Sequence, residues 1–336
     1  MMRILVTGGC GFIGSNFIRY MLNRYEDYEV INLDALTYAG NPYNLSDITE
    51  NDRYTFVEGR IQDKDIINKM IMEVDWVINF AAESHVDRSI RNASPFLYTN
   101  VIGLQCLLDA ARNSDVERFL HVSTDEVYGS HHSDEGKFTE ESPLAPNSPY
   151  AASKASGDLL IRSYNNTFNF PVIIARPSNN YGPFQYPEKF IPLMITNLLD
   201  NKPVPLYGDG SNIRDWLFVE DTCRALDIVL HKGKAGEIYN VGCNCEMKNI
   251  DVVKHVLKIL QKDESFIKYV EDRPGHDYRY SIDTRKICDK LGWKPEISFE
   301  DGISRTVKWV ADNEWWWRPL KARLKSLSSG FWQNSG

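Results

Sequence analysis

Nowhere in this 336-residue chain do uncharged apolar residues run on for the length of a membrane-spanning helix, so no membrane partner is expected. The opening Met-Met-Arg-Ile-Leu-Val-Thr-Gly-Gly has too short an apolar stretch before its glycines to act as a secretory signal, which makes the cytoplasm the expected location. Dense runs of Lys and Arg are missing too. With 38 basic against 46 acidic residues the net charge is −8, which argues against nucleic acid but leaves room for a small phosphorylated ligand that needs only local positive charge. Cysteine is sparse. Cys10, Cys106, Cys223, Cys243, Cys245 and Cys288 are too few for a disulfide scaffold and lack the doubled C-x-x-C spacing of a metal site, so all six are expected as thiols. Cys243 and Cys245 form the one close pair. No His/Asp/Glu cluster has ligand spacing either, and no metal is expected. Internal repeats, heptads and low-complexity linkers are absent, although the Ser- and Lys-rich stretch Leu320–Gly336 is expected to fray.

What is present in the first half is alternation. Arg3–Thr7, Glu29–Leu33, Tyr54–Glu58, Trp76–Phe80 and Arg118–Ser123 read as buried strands, with helical periods between most of them. Strands alternating with helices imply right-handed crossovers and a doubly wound parallel α/β sheet of the Rossmann type, whose ligands sit beyond the carboxyl ends of the strands. After Pro171–Arg176 the regularity gives way to a proline-rich stretch and scattered helices such as Asp221–Lys232 and Ile250–Leu260. The expected organisation is a nucleotide-binding domain over 1–176, to which part of the later chain returns, a smaller irregular substrate domain over 177–320, and a flexible tail over 321–336.

Candidate site residues follow the strands directly. Thr7-Gly8-Gly9-Cys10-Gly11-Phe12-Ile13-Gly14 leaves the first strand and opens a helix, where bare glycines let the backbone approach a pyrophosphate on the helix N-terminus. Asp34, 20 residues beyond Gly14 at the end of the second strand, can accept hydrogen bonds from an adenosine ribose. Its charge would repel a 2′-phosphate, which favours NAD over NADP. A glycine-rich structural turn and a capping aspartate are the plainer alternatives. Further on, Tyr150 and Lys154 stand at i and i+4, on one face of a helix. A lysine cation beside a phenol favours the phenolate and is expected to lower the Tyr150 pKa so that it can take a proton from a sugar hydroxyl. Ser123-Thr124 ends the preceding strand and offers a hydroxyl to share that proton. A hydroxyl, a phenol and a lysine so arranged suit hydride transfer.

The T-G-x-x-G-x-x-G turn, the strand-end Ser-Thr and the Y-x-x-x-K resemble the extended short-chain dehydrogenase/reductases. Within them, Ser123-Thr124-Asp125-Glu126-Val127-Tyr128-Gly129 is similar to the active-site segment of the dTDP-glucose 4,6-dehydratases. Segments Ala81–Asp87, Ser178–Pro183, Pro187–Lys189, Asn212–Trp216 and Asp272–Asp277 resemble that family in the same order, so the likeness runs from Arg3 to about Trp317. It implies oxidation of a nucleoside-diphosphate glucose at C4 by NAD, loss of water across C5 and C6, and return of the hydride to C6. Catalytic roles then fall to Thr124, Asp125, Glu126, Tyr150 and Lys154. Glu126 is the expected base for the C5 proton, and Asp125 the donor for the departing C6 hydroxyl, kept protonated by its acidic neighbour in a dry cleft. By the same resemblance NAD should meet Gly8, Gly11, Phe12, Ile13, Gly14, Asp34, Ala35, Leu36, Thr37, Arg60, Ile61, Phe80, Ala81, Ala82, Thr99, Tyr150, Lys154 and Asn180. The nucleotide sugar should meet Ser84, Thr124, Asn179, Lys189, Phe190, Pro205, Tyr207, Arg214, Asn249, Arg273 and His276, with the two arginines on the diphosphate. A homodimer joined through Pro95–Ala111 is also implied.

Two segments depart from the family pattern. Arg60 stands where Gly-Asp-Ile usually meets the adenine, and Ala175-Arg176-Pro177 replaces the more usual Thr-Asn-Cys, which keeps UDP-glucose open beside dTDP-glucose. A 4-epimerase would share the glycine turn, Thr124, Tyr150 and Lys154 but has no use for the acidic pair. A non-catalytic NAD-sensing or scaffold protein would have no need of Tyr150 and Lys154.

Overall fold

The computed structural model describes residues 1–131 and 136–327. Its first half runs β1 (Met2–Thr7), α1 (Phe12–Arg24), β2 (Tyr28–Asp34), β3 (Tyr54–Glu58), α2 (Lys64–Ile71), β4 (Trp76–Asn79), α3 (Val86–Arg91), α4 (Ser94–Leu97), α5 (Leu104–Arg112), β5 (Arg118–Val122), α6 (Pro149–Phe168) and β6 (Val172–Pro177). The second half adds β7 (Asn179–Tyr181), α7 (Phe190–Leu199), β8 (Val204–Tyr207), β9 (Ile213–Phe218), α8 (Val219–Lys232), β10 (Ile238–Val241) and β11 (Glu246–Lys248). It closes with α9 (Asn249–Ile259), β12 (Ile267–Val270), α10 (Arg285–Leu291), α11 (Phe299–Asp312) and α12 (Glu314–Leu327).

Seven strands form one parallel sheet in the order β10-β6-β5-β4-β1-β2-β3. Strand order reverses between β1 and β4, so a crevice opens beyond their carboxyl ends. The central strands are apolar on both faces because helices cover both. Ile4, Val6 and Ile78 pack with Phe17, Ile18 and Met21 of α1 and with α8, whereas Leu5, Val77 and Phe119 pack with α2, α5 and α6. A third apolar cluster joins α7, α9, α11 and the paired Trp316 and Trp317 around a three-stranded sheet β11-β9-β7. There β9 runs parallel to β7 and antiparallel to β11. β8 and β12 form a separate parallel pair.

The glycine turn is fixed by contact. Gly8 has φ +73°, and a Cβ on it would lie 2.7 Å from the Ala81 nitrogen; a Cβ on Gly14 would lie 2.6 Å from the Gly8 carbonyl. α1 begins with Gly11 as N-cap, no side-chain cap and no acid in its first turn. A side-chain cap is worth about 1 kcal/mol, less than the roughly 1.5–3 kcal/mol from burying any one of Phe17, Ile18 or Met21. The helix therefore holds with its first N–H groups free for a ligand. By contrast α6 is capped at both ends: the Ser148 side chain accepts from the Ala151 nitrogen, Pro149 opens the helix, and Asn169 ends it in the left-handed region.

Thr99 lies on a single π-helical turn, Tyr98–Gly103, that bridges α4 and α5. Within it Asn100 takes the Glu83 N–H and donates to the Glu83 carbonyl and to Ser153. Within the stretch expected to fray, α12 continues as helix to Leu327, with Trp316 and Trp317 of its first turn in the third cluster; the rest of the expected tail lies outside the described residues. Among the described residues no helix is long and apolar enough to cross a membrane. Gly14→Ala should cost about 1–3 kcal/mol in urea denaturation, since its clash is with backbone. An unchanged midpoint would mean that the Gly8 carbonyl can move aside.

Candidate active site

One cleft crosses the carboxyl edge of the sheet and has two lobes. The larger, about 310 Å³, is lined by the glycine turn, the ends of β2 and β4, and Tyr150 and Lys154. Every NAD position expected from the sequence lines it except Leu36. Leu36 sits at φ +46° with its side chain against the apolar cluster under α1, and its backbone N–H donates to Asp34. Its N–H thus helps to orient Asp34. The two Asp34 oxygens accept from Leu36 and Cys10 N–H groups at 2.8 Å each. Burial raises the Asp34 pKa and those two bonds oppose the rise. Ser123, Ser178, Asn179 and Gln185 line the same lobe with buried side-chain oxygens that have no partner. An unmet buried polar atom costs about 1–3 kcal/mol, so a concentration of them beside a bare helix N-terminus fits a polar dinucleotide.

Tyr150 and Lys154 share one face of α6, as their spacing requires. The Lys154 ammonium donates to the Val122 carbonyl at 2.8 Å, which draws the helix onto the end of β5. Thr124, just past that strand, caps the short 3-10 turn Asp125–Tyr128 by accepting from the Glu126 nitrogen. The expected depression of the Tyr150 pKa is not found. Burial and the Glu126 charge raise it, a Thr124 hydrogen bond opposes the rise, and Lys154 is occupied with Val122. Burial lowers Lys154 to about 8 against the pull of Asp158.

The acidic pair divides. Asp125 is buried; burial, Glu126 and Asp215 raise its pKa well above the ordinary carboxyl value, which favours its protonated form. It touches the Thr124 hydroxyl at 3.3 Å, its other oxygen has no partner, and its side chain lines neither lobe. Glu126 lines both lobes. Burial raises it as well, but Arg273, Arg214 and Lys189 pull it back.

The smaller lobe carries the expected substrate positions Ser84, Asn179, Lys189, Phe190, Pro205, Tyr207, Arg214, Asn249, Arg273 and His276. Thr124 lines the larger lobe instead. Lys189 donates to the Ser84 carbonyl at 2.8 Å. Arg214 lies 4.2 Å over the Tyr280 ring, and the Phe190 ring stacks 6.0 Å from Trp216. Burial and the two arginines lower His276 to about 4, so it is neutral. Sequence reasoning missed the role of Asp87, which accepts from Arg273 and from Tyr207 at 3.0 Å each across 186 and 120 residues. It also missed Gln185, and Tyr38 with the Arg88 guanidinium 4.0 Å over its ring; only Tyr38, four residues past Asp34, carried a local signal.

A doubly wound sheet with a glycine turn, a strand-end threonine and a Tyr-Lys helix defines a short-chain dehydrogenase/reductase. The GDP-mannose 4,6 dehydratase family model matches residues 5–306, and the chain belongs to that family of nucleotide-sugar dehydratases. It is 51% identical to the low-salt glycan biosynthesis protein Agl12 of Haloferax volcanii, over 93% of this chain and all of that one. It is 49% identical to the dTDP-glucose 4,6-dehydratase of Streptomyces niveus, over 98% of each. A crystal structure of the dTDP-glucose 4,6-dehydratase DesIV from Streptomyces venezuelae, with NAD and TYD bound, superposes with a TM-score of 0.93 at 52% identity, covering 95% of this chain and 100% of that one.

Asp125 ties stability to pH. A carboxyl whose folded pKa is raised binds a proton in the folded state that the unfolded chain releases above its ordinary value near 3.8, so stability falls as pH rises beyond it. Asp125→Asn carries no such penalty. The variant should melt higher than the parent at pH 8, with a smaller gap at pH 4. A gap that does not widen with pH would mean Asp125 is ionised in the folded protein.

Proposed function

We propose that the chain converts dTDP-glucose to dTDP-4-keto-6-deoxyglucose as an NAD-dependent 4,6-dehydratase. The observation that carries this reading is the placement of the acidic pair beside the Thr124–Tyr150–Lys154 group: Asp125 is buried, where burial and Glu126 favour its proton, and Glu126 lines both lobes with Arg214, Arg273 and Lys189 about it. A 4-epimerase has no use for it. When bound, NAD offers a cationic nicotinamide that accepts the C4 hydride and later returns it to C6. Positive charge in the larger lobe favours the Tyr150 phenolate against burial, and Tyr150 with Thr124 takes the C4 hydroxyl proton. The resulting ketone acidifies the C5 hydrogen, which Glu126 removes as a proton and gives back to C5 once the hydride has returned to C6. Asp125 does not itself line the cleft; through the Thr124 hydroxyl, which does, it supplies the proton on which the C6 hydroxyl leaves as water. Arg214 and Arg273 hold the diphosphate, and Asp87 keeps the Arg273 fork turned so that its Nε, which has no partner, is left for an anion.

The same proposal assigns 1–176, with the returning β10, to the cofactor and 177–320 mainly to the nucleotide sugar. It includes a homodimer, supported by exposed Leu97, Tyr98, Ile102 and Leu159 on the outer faces of α4, the π-turn and α6. A reducing, cytoplasmic setting suits six unbridged cysteines.

Incubation with dTDP-glucose and UDP-glucose separately, read by mass spectrometry, should show loss of one water from dTDP-glucose. Water loss from UDP-glucose alone would replace the nucleotide, and galactose-isomer formation without water loss would replace the reaction. Glu126→Gln should keep substrate binding while lowering kcat about a hundred- to ten-thousandfold; an unchanged rate removes Glu126 from the mechanism. Ile102→Arg with Leu159→Arg should halve the mass seen by light scattering, and an unaltered mass would place any dimer contact elsewhere.

A further inference from the structure

Behind the catalytic face of α6 lies a buried charge cluster to which the reaction assigns no part. Asp158 stands one turn beyond Lys154 on the same helix face, with a side chain 1% exposed. Its Oδ2 accepts from Arg176 Nε at 2.8 Å, and its Oδ1 has no hydrogen-bond partner. Arg176, on β6, also donates to the Tyr128 phenol at 2.7 Å, which in turn donates to Asn240. Arg176 belongs to Ala175-Arg176-Pro177, one of the two segments that depart from the dehydratase pattern.

His121, on β5, lies between the two cations. Its Nε2 is 3.9 Å from Asp158 Oδ1 and 3.5 Å from the Lys154 ammonium. This approach to Asp158 is not an ion pair, because burial, Lys154 and Arg176 hold the imidazole neutral. Its tautomer is fixed from the other side. The Thr7 hydroxyl occupies Asn79 Oδ1, so the Asn79 amide nitrogen faces His121 Nδ1 and the ring proton sits on Nε2. With that proton in place His121 cannot accept from Lys154, and the ring adds no negative charge. The titratable and charged groups around Lys154 are thus Tyr150 and Asp158 on α6, neutral His121 on β5, Arg176 on β6, and the Asp125–Glu126 pair, which acts on Tyr150. Burial disfavours the ammonium, and Asp158 is the group that opposes burial.

We propose that Asp158 is a positioning residue for the reaction: its buried carboxylate keeps Lys154 cationic at the wall of the cleft, and Arg176 holds that carboxylate in place. What Lys154 then does rests on the dehydratase reading. A merely structural ion pair between α6 and β6 would show the same contacts, so the test reads the charge of Lys154 directly.

Competitive acetylation of the full chain, with the Lys154 peptide quantified by mass spectrometry across pH, should place the parent midpoint at about 8. Loss of an opposite charge one helical turn away removes what opposes burial, so in Asp158→Asn the midpoint should fall and Lys154 should label faster below the parent value, about tenfold for a fall of one pKa unit. The alkaline limb of kcat should move with it. Asp158→Asn leaves Arg176 unpaired, and the double variant Asp158→Asn with Arg176→Met removes both charges if the single one fails to fold. It too should show the lowered midpoint. Midpoints equal to the parent in whichever variant folds, with only the melting temperature reduced, would overturn the proposal. The labelling needs no substrate, so that outcome leaves the dehydratase reading intact, whereas failure of that reading would appear as absent water loss in the parent.

Discussion

The hydrogen bond from the Lys154 ammonium to the Val122 carbonyl is the contact on which the site depends. It ties the first turns of a 20-residue helix to the last residue of β5, and that junction sets Tyr150 beside Thr124 and Glu126. The helix cannot slide to compensate. Ser148 and Pro149 fix where it starts, the Tyr150 nitrogen donates to Ser89, and Ile161 and Tyr164 are buried against the sheet farther on. A one-residue shift would rotate both catalytic side chains by about 100° around the helix axis. The site's geometry therefore depends on helix register, and register depends on capping and on an apolar face remote from the chemistry.

Charge in the cleft is arranged by the same economy of contacts. Asp125 lies near Glu126 and Asp215, and Glu126 near Asp277, so like-charge repulsion adds to burial in raising the adjacent pair. Arg273, Arg214 and Lys189 all pull Glu126 back, whereas of the three only Arg214 opposes the rise at Asp125, so the adjacent pair is relieved unequally. The difference arises because successive side chains of a tight 3-10 turn point to different surroundings.

Most of the sheet and nearly all of the cofactor lobe were legible in the sequence, because parallel strands read as short β-branched runs and their ligands follow each strand end. β1 to β5 lie within a residue or so of the expected runs. The substrate lobe was legible only by resemblance. Its walls are made by β8, β12 and the turn carrying Arg273, which meet through pairs such as Asp87 with Tyr207 and Arg273 that no local pattern encodes. Leu36, placed at the cofactor by resemblance, does not line the lobe, because a positive φ turns its side chain toward the core while its N–H donates to Asp34. The Tyr150 shift was misjudged because Tyr-Lys spacing reveals proximity and says nothing of burial or of Glu126.

Such a site is costly to fold. A protonated carboxyl, several unpartnered hydroxyl and amide oxygens, and a bare helix N-terminus all oppose stability at about a kilocalorie or more each. None of them lies within the apolar clusters that hold the protein together. Those clusters cover the two faces of the sheet and the flank of the smaller sheet, whereas the polar atoms gather at the strand ends between them. Residues at a strand's carboxyl end leave the hydrogen-bonded ladder and the helical cover together, so they can be chosen for chemistry while Ile4, Val77 and Phe119 a few positions earlier are chosen for packing. This separation along each strand lets a wholly buried parallel sheet carry a group of residues that would destabilise it at its centre.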